Sequence, residues 1–114
     1  MKAPLEGTLL RIFLGEADRW DGKPLYEALV LRARELQLAG ATVLRGVMGF
    51  GKHSHLRSAH LLELSTDLPI VVEIIDTAEN IERFLPEVDR MVREGLVTLE
   101  QVQVLKYAAG EDAS

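Results

Sequence analysis

Two helical stripes, each set between extended apolar runs, constrain this chain more than any other feature. Leu25, Ala28, Leu29, Arg32 and Leu36 follow helical spacing, with Arg32 the one break in the stripe. Ile81, Phe84, Leu85, Val88, Met91 and Val92 form the second stripe. Four β-type runs surround them: Leu9–Leu14, about Ala41–Met48, Pro69–Ile75 and about Val97–Tyr107. In the last run Gln101 and Gln103 alternate with Val102 and Val104, the pattern of a sheet with one wet face.

The order β-α-β-β-α-β is that of the split βαβ, or ferredoxin-like, plan. This is an α+β fold with an antiparallel sheet and two helices on one face. In the first strand either Ile12 and Leu14 or Leu9 and Phe13 face the core. Residues 16–23 read as a polar connection with an Asp21-Gly22 turn, and Pro24 suits the first turn of a helix. Gly40 is expected in the left-handed position past that helix. Asp76 with Glu79 forms a helix-starting box, with Thr77 as the competing cap. Pro86 predicts a kink or short break, and Gly95 ends the second helix. Strand residues such as Val43 and Val71 leave both sheet faces apolar, so part of the second face is expected to be buried in an oligomer.

At 114 residues the chain suits one domain, residues 1–107, with a frayed tail over 108–114. A 47% hydrophobic content supports a core. The net charge of −5 argues against nucleic acid, which needs a basic face. Without cysteine there is no disulfide framework and no thiolate zinc site, which fits a cytoplasmic protein. No apolar run is long enough to insert into a membrane.

The chemistry that the chain offers is gathered in Gly49, Phe50 and Gly51 and the basic loop after them, which holds Lys52, His53, Ser54, His55, Leu56, Arg57 and His60. The glycines would let a ligand approach the backbone, and N–H groups in such turns can cradle phosphate. Equally, they can be a strand end turning into a loop. Lys52 and Arg57 could contact an anion, or serve only solubility. His53, His55 and His60 could bind a divalent metal, since imidazole suits zinc, copper or nickel; the blander reading is a solvated loop. Trp20 could stack on a base or ring, but the favoured reading is a lid on the core or an interface, with Glu16, Asp18 and Asp21 as solvated charges. No residue set supplies an acid–base pair or an activated nucleophile, so the chain is not expected to be an enzyme.

The run Gly40-Ala41-Thr42-Val43-Leu44-Arg45-Gly46-Val47-Met48-Gly49-Phe50-Gly51 resembles the second strand and T-loop entry of nitrogen-regulatory PII proteins. Leu68-Pro69 and the Ile-Val-rich strand after it resemble the return from that loop. Closer still is the PII-like domain of unknown function 190. The matching pieces are Arg11 to Glu16, Trp20 to Ala28, Ala39 to Val43, Arg45-Gly46, Gly49 to Gly51 and Leu96 to Thr98, within a span from about Leu5 to Tyr107.

The resemblance implies a homotrimer with ligand clefts between subunits and a signalling loop over 49–60. It places Thr42 near a base, Gly49 and Gly51 near phosphates, and a small anionic metabolite, with an adenine nucleotide as first candidate, in the cleft. The loop's partner would be a transporter, channel or enzyme. Two departures stand out. Thr42 to Gly49 is one residue longer than in PII proteins, which predicts a bulge or a shifted register. The Gly-Asp-Gly-Lys turn before the last PII strand is replaced by Arg93-Glu94-Gly95-Leu96-Val97-Thr98. Relatives of the same fold with CutA-like metal tolerance imply the alternative, a divalent-metal protein using the loop histidines.

Overall fold

The computed structural model describes residues 5–51, 56–58 and 67–110. Its elements are β1 (Leu5–Gly15), β2 (Arg19–Trp20), β3 (Lys23–Pro24), α1 (Leu25–Glu35), β4 (Thr42–Arg45), β5 (Met48–Gly49), β6 (Arg57–Ser58), β7 (Pro69–Asp76), α2 (Ala78–Met91) and β8 (Leu96–Val104). Four strands make one antiparallel sheet in the order β4-β7-β1-β8. With α1 and α2 packed over β7 and β1, this is the ferredoxin-like split βαβ fold.

The sheet's two faces differ because strand side chains alternate. Leu10, Ile12 and Leu14 of β1 and Ile70, Val72 and Ile74 of β7 are buried under the helices. Leu25, Ala28, Leu29 and Ala33 of α1 meet them, with Ile81, Phe84, Val88 and Met91 of α2. Each large side chain so buried contributes roughly 1.5–3 kcal/mol. Leu9 is buried too, although it points to the other face; there Phe13 stays partly exposed.

α1 begins on Pro24, as its missing N–H allows. It does not end where the sequence predicts. Gln37, not Gly40, takes the left-handed conformation, with φ of 62°. The Gln37 N–H donates to the Arg34 carbonyl at 3.0 Å and the Leu38 N–H to the Ala33 carbonyl at 3.1 Å. This is a Schellman closure, and Leu38 packs onto the core behind it. The two hydrogen bonds and that apolar contact offset the cost of a non-glycine residue at positive φ.

α2 is capped by Thr77, whose side chain accepts the Asn80 N–H at 3.2 Å. Asp76 does not form the expected box with Glu79. Its Oδ1 accepts from the Thr77 N–H and from Asn80 Nδ2, and its Oδ2 from the Ala39 N–H. Burial works against ionisation of Asp76, but the bonds from Asn80, Ala39 and Thr77 outweigh it and hold the carboxyl below the ordinary aspartate value. The helix runs unbroken through Pro86, contrary to the expected break. Pro86 is exposed, so water can take the hydrogen bond that its ring denies to the helix. α2 stops at Met91, and Gly95 lies in the turn that leads into β8.

Candidate functional site

The expected strand from Ala41 to Met48 is split. β4 leaves the main sheet after Arg45, and Met48–Gly49 pairs instead with Arg57–Ser58 in a separate two-rung ladder. Gly46, at the split, donates its N–H to the Pro69 carbonyl at 2.7 Å. A Cβ on Gly46 would lie 3.0 Å from Pro69 Cγ, so any side chain there would have to push the proline ring back by a few tenths of an ångström. Gly49 also stands over the Pro69 ring, at ordinary contact distance.

A chain segment after β1 ties this base together. The Glu16 N–H donates to the Leu68 carbonyl at 2.8 Å, and the Ala17 N–H to Asp67 Oδ1 at 2.9 Å. The Glu16 carboxylate, only 16% exposed, pairs with Arg45. Glu16 is therefore no solvated charge: it joins the strand that enters the loop to the segment that receives its return. Asp18 is also committed, accepting the Gly15 N–H at 3.0 Å.

The predicted ligand residues divide between these parts. Thr42 lies in the main sheet, opposite Glu73. Gly49 lies in the small ladder, four residues beyond the end of β4. One protomer does not bring Thr42 and Gly49 onto a common ladder. Phe50 is 71% exposed, and a Cβ on Gly51 would meet nothing within 4 Å. Arg57 contributes backbone to β6. Lys52, His53, His55 and His60 lie outside the described residues. Among the described residues no group of His, Asp and Glu could hold a metal ion, and no helix is long and apolar enough to cross a membrane.

The sheet face away from the helices carries a polar row across its middle, read from the register as Thr42, Glu73, Arg11 and Thr98. Arg11 Nε is 2.8 Å from Glu73 Oε2, and its Nη1 is 3.5 Å from Glu100. Apolar rows flank it, with Leu44, Val71, Phe13 and Leu96 on the loop side and Ile75 and Leu9 on the other. Leu44, Phe13, Leu96 and Ile75 are exposed. The sequence showed that both faces were apolar, but not the pairing of Arg11, because its partners are 62 and 89 residues away.

One further feature escaped sequence reasoning. Asp21 and Gly22, at the expected turn, have φ of 49° and 80° and close a tight β2–β3 hairpin that the polar connection did not announce. The hairpin presses Trp20 against the core and under Arg90 of α2, whose Cζ is 5.3 Å from the indole centroid. The lid reading of Trp20 is correct. Beside it opens a cleft of about 600 Å³, lined by Asp18, Arg19, Asp21, Leu25, Arg93 and Glu94 among others. An Asp-Gly turn with two residues on either side was the available signal, but two-residue strands have no periodicity to read. Arg90 is held by Glu87, which also takes Arg32 of α1 at 2.6 Å. Hydrogen bonds first from Arg90 and then from Arg32 hold the Glu87 carboxyl below the usual range.

Comparison with known proteins agrees with this geometry. Residues 7–104 match the DUF190 family, described as an uncharacterized ACR. A UPF0166 protein of Aquifex aeolicus is 48% identical over 97 residues, covering 85% of this chain and 91% of its own. The structure is similar to that of CPII from Thiomonas intermedia, bound to ADP and bicarbonate: the TM-score is 0.66 at 22% identity, with 90% of this chain and 92% of that one covered. It is also similar to a PII-like signaling protein from Thermus thermophilus, with a TM-score of 0.65 at 19% identity over 90% and 93% of the two chains. These likenesses establish the fold, and the match over residues 7–104 establishes the family: the chain belongs to DUF190, a family with the PII-like fold.

Proposed function

We propose that the protein is a non-catalytic, homotrimeric PII-like regulator. It binds a small anionic metabolite, an adenine nucleotide first among candidates, in clefts between protomers, and it signals through the 49–60 loop to a partner protein. The observation that carries this reading is the tied loop base. The chain departs from the sheet at Arg45 and returns at Asp67–Pro69, and Glu16, Ala17 and Gly46 fasten departure to return. A rigid base under a separate two-rung ladder is the arrangement in which a small ligand can bias the state of a loop.

The exposed apolar rows beside Arg11 support self-association through the open sheet face. In such an assembly Thr42 of one protomer, on that face, would approach the loop base of the next, which supplies the proximity that a single protomer lacks. The likeness to CPII bound to ADP supports a nucleotide as ligand. Arg93 or Lys106 would supply the charge that the PII phosphate turn carries. For the ligand to signal it must favour one loop state over another; tight binding alone shifts nothing. Calorimetric titration of the purified protein with ATP, ADP, AMP and cyclic nucleotides tests the ligand. Saturable heat with at least one is expected, and neither heat nor thermal shift with any would remove the nucleotide reading.

A further inference from the structure

The ladder of β5 and β6 stands outside the main sheet and carries an apolar face of its own. In its register Met48 is opposite Ser58, and Phe50 and Leu56 come next beyond the last rung. Alternation along the two strands puts Met48, Phe50 and Leu56 on one side of this arm. All three are exposed, Met48 by 55%, Phe50 by 71% and Leu56 by 45%. Val47, at the root of the arm, is 69% exposed. The arm is fastened elsewhere, by the Gly46 N–H on the Pro69 carbonyl and by Gly49 against the Pro69 ring. Four large apolar side chains in this short stretch therefore bury little within the protomer.

Charge separates this patch from the open sheet face. There Glu73 and Glu100 stand with Arg11 among the exposed apolar residues. Between Gly46 and Leu62 the sequence has no Asp or Glu, but it has Lys52, Arg57 and all three histidines. The chain as a whole carries −5. At the root of the arm the Glu16 carboxylate is taken by Arg45. Protruding apolar side chains in a stretch of cations without acids match the boundary of an anionic bilayer, where apolar groups reach the acyl edge and cations meet the headgroups. The polar rim of a folded protein carries charges of both signs, which an arm without acids would answer only in part. A lipid surface of one sign makes no such demand. No helix among the described residues is long and apolar enough to cross a membrane, so attachment would be peripheral.

We propose that the β5–β6 arm docks on an anionic lipid surface through Val47, Met48, Phe50 and Leu56. This docking rests on the reading of the 49–60 loop as the contacting element, and it needs no nucleotide. Four side chains give weak, reversible attachment from one chain, and each further copy in an assembly strengthens it.

Flotation of the full chain with vesicles, without nucleotide, measures the docking. Vesicles of phosphatidylcholine alone are compared with vesicles of phosphatidylcholine and phosphatidylglycerol. Saturable binding to the anionic vesicles is expected, with weaker binding to the neutral ones. Met48→Ser/Phe50→Ser alters two exposed side chains and should keep the fold, while its partition coefficient falls roughly tenfold or more. Phe50→Leu keeps an apolar side chain and should keep binding. Leu105→Ser, at a similarly exposed leucine just past β8, should leave binding unchanged. Absence of binding to the anionic vesicles overturns the proposal and leaves a protein as the partner of the arm. Equal binding to both vesicle types overturns it as well, as does undiminished binding in the double variant or an equal loss in Leu105→Ser. The vesicle assay and the nucleotide titration fail separately: vesicle binding without nucleotide heat removes the nucleotide, and heat without vesicle binding removes the lipid.

Discussion

Replacing Gly95 by alanine should destabilise the protein far more than its exposed position suggests. Gly95 adopts φ of 154°, a conformation that side chains rarely take, and it leads from the end of α2 into β8. A Cβ built there lies 2.5 Å from the Phe13 carbonyl oxygen and 3.3 Å from Val92 Cγ1. Phe13 cannot simply yield, because it sits inside β1, opposite Leu96 on one side and Val71 on the other. Backbone strain of about 1–3 kcal/mol adds to an overpacking cost of about 1–3 kcal/mol. A loss of about 4 kcal/mol is the central expectation from these two terms. With a urea slope of about 1–3 kcal/mol/M, the unfolding midpoint should fall by about 1.3–4 M. Gly40→Ala is the matched control. Gly40 is outside the left-handed region and a Cβ there meets nothing within 4 Å. Alanine should be neutral at that position or stabilise by about 0.4–1 kcal/mol through the unfolded chain. Both variants are compared with the parent by urea denaturation at one protein concentration. A Gly95→Ala midpoint equal to that of the parent, or to that of Gly40→Ala, would refute the packing argument.

Two other perturbations test separate links. Asp76 has a lowered folded pKa, so its contribution is present above the ordinary aspartate value of 3.8 and is lost as pH falls through the folded value. Asp76→Asn should therefore lower stability at neutral pH and flatten its decline in acid, and an unchanged acid limb by thermal unfolding would contradict the linkage. Phe13→Asp places a charge among the exposed apolar residues of the open sheet face. Light scattering should then give the mass of a single chain, while a mass equal to the parent's would remove that face from the assembly.

How far the sequence could be read depended on the range of the forces involved. The α2 stripe was legible because Ile81, Phe84, Val88 and Met91 recur at helical spacing and all are buried. The sheet order followed from the order of elements. The helix end at Gln37 was not legible, because its closure depends on two backbone bonds that any residue can make, and the glycine three positions later was the stronger local signal. Arg32 read only as the break in the α1 stripe, yet it reaches Glu87, 55 residues away. Of the site, the glycines were approachable from local chemistry. The clasp of Glu16 on Arg45 and of Ala17 on Asp67 was not, since nothing in either segment announces the other. The extra residue between Thr42 and Gly49 predicted a bulge or shifted register. Here the strand instead leaves the sheet at Gly46, where a glycine can lie against Pro69.

The central claim is that a ligand at the loop base changes the state of the loop. Amide hydrogen exchange at Gly46, Met48, Gly49 and Ser58, measured with and without a saturating adenine nucleotide, tests it most directly. The account predicts slower exchange at these amides on binding, with the β1 core amides unchanged. A nucleotide that binds by calorimetry yet leaves exchange across Gly46–Gly49 and Arg57–Ser58 unaltered would contradict it.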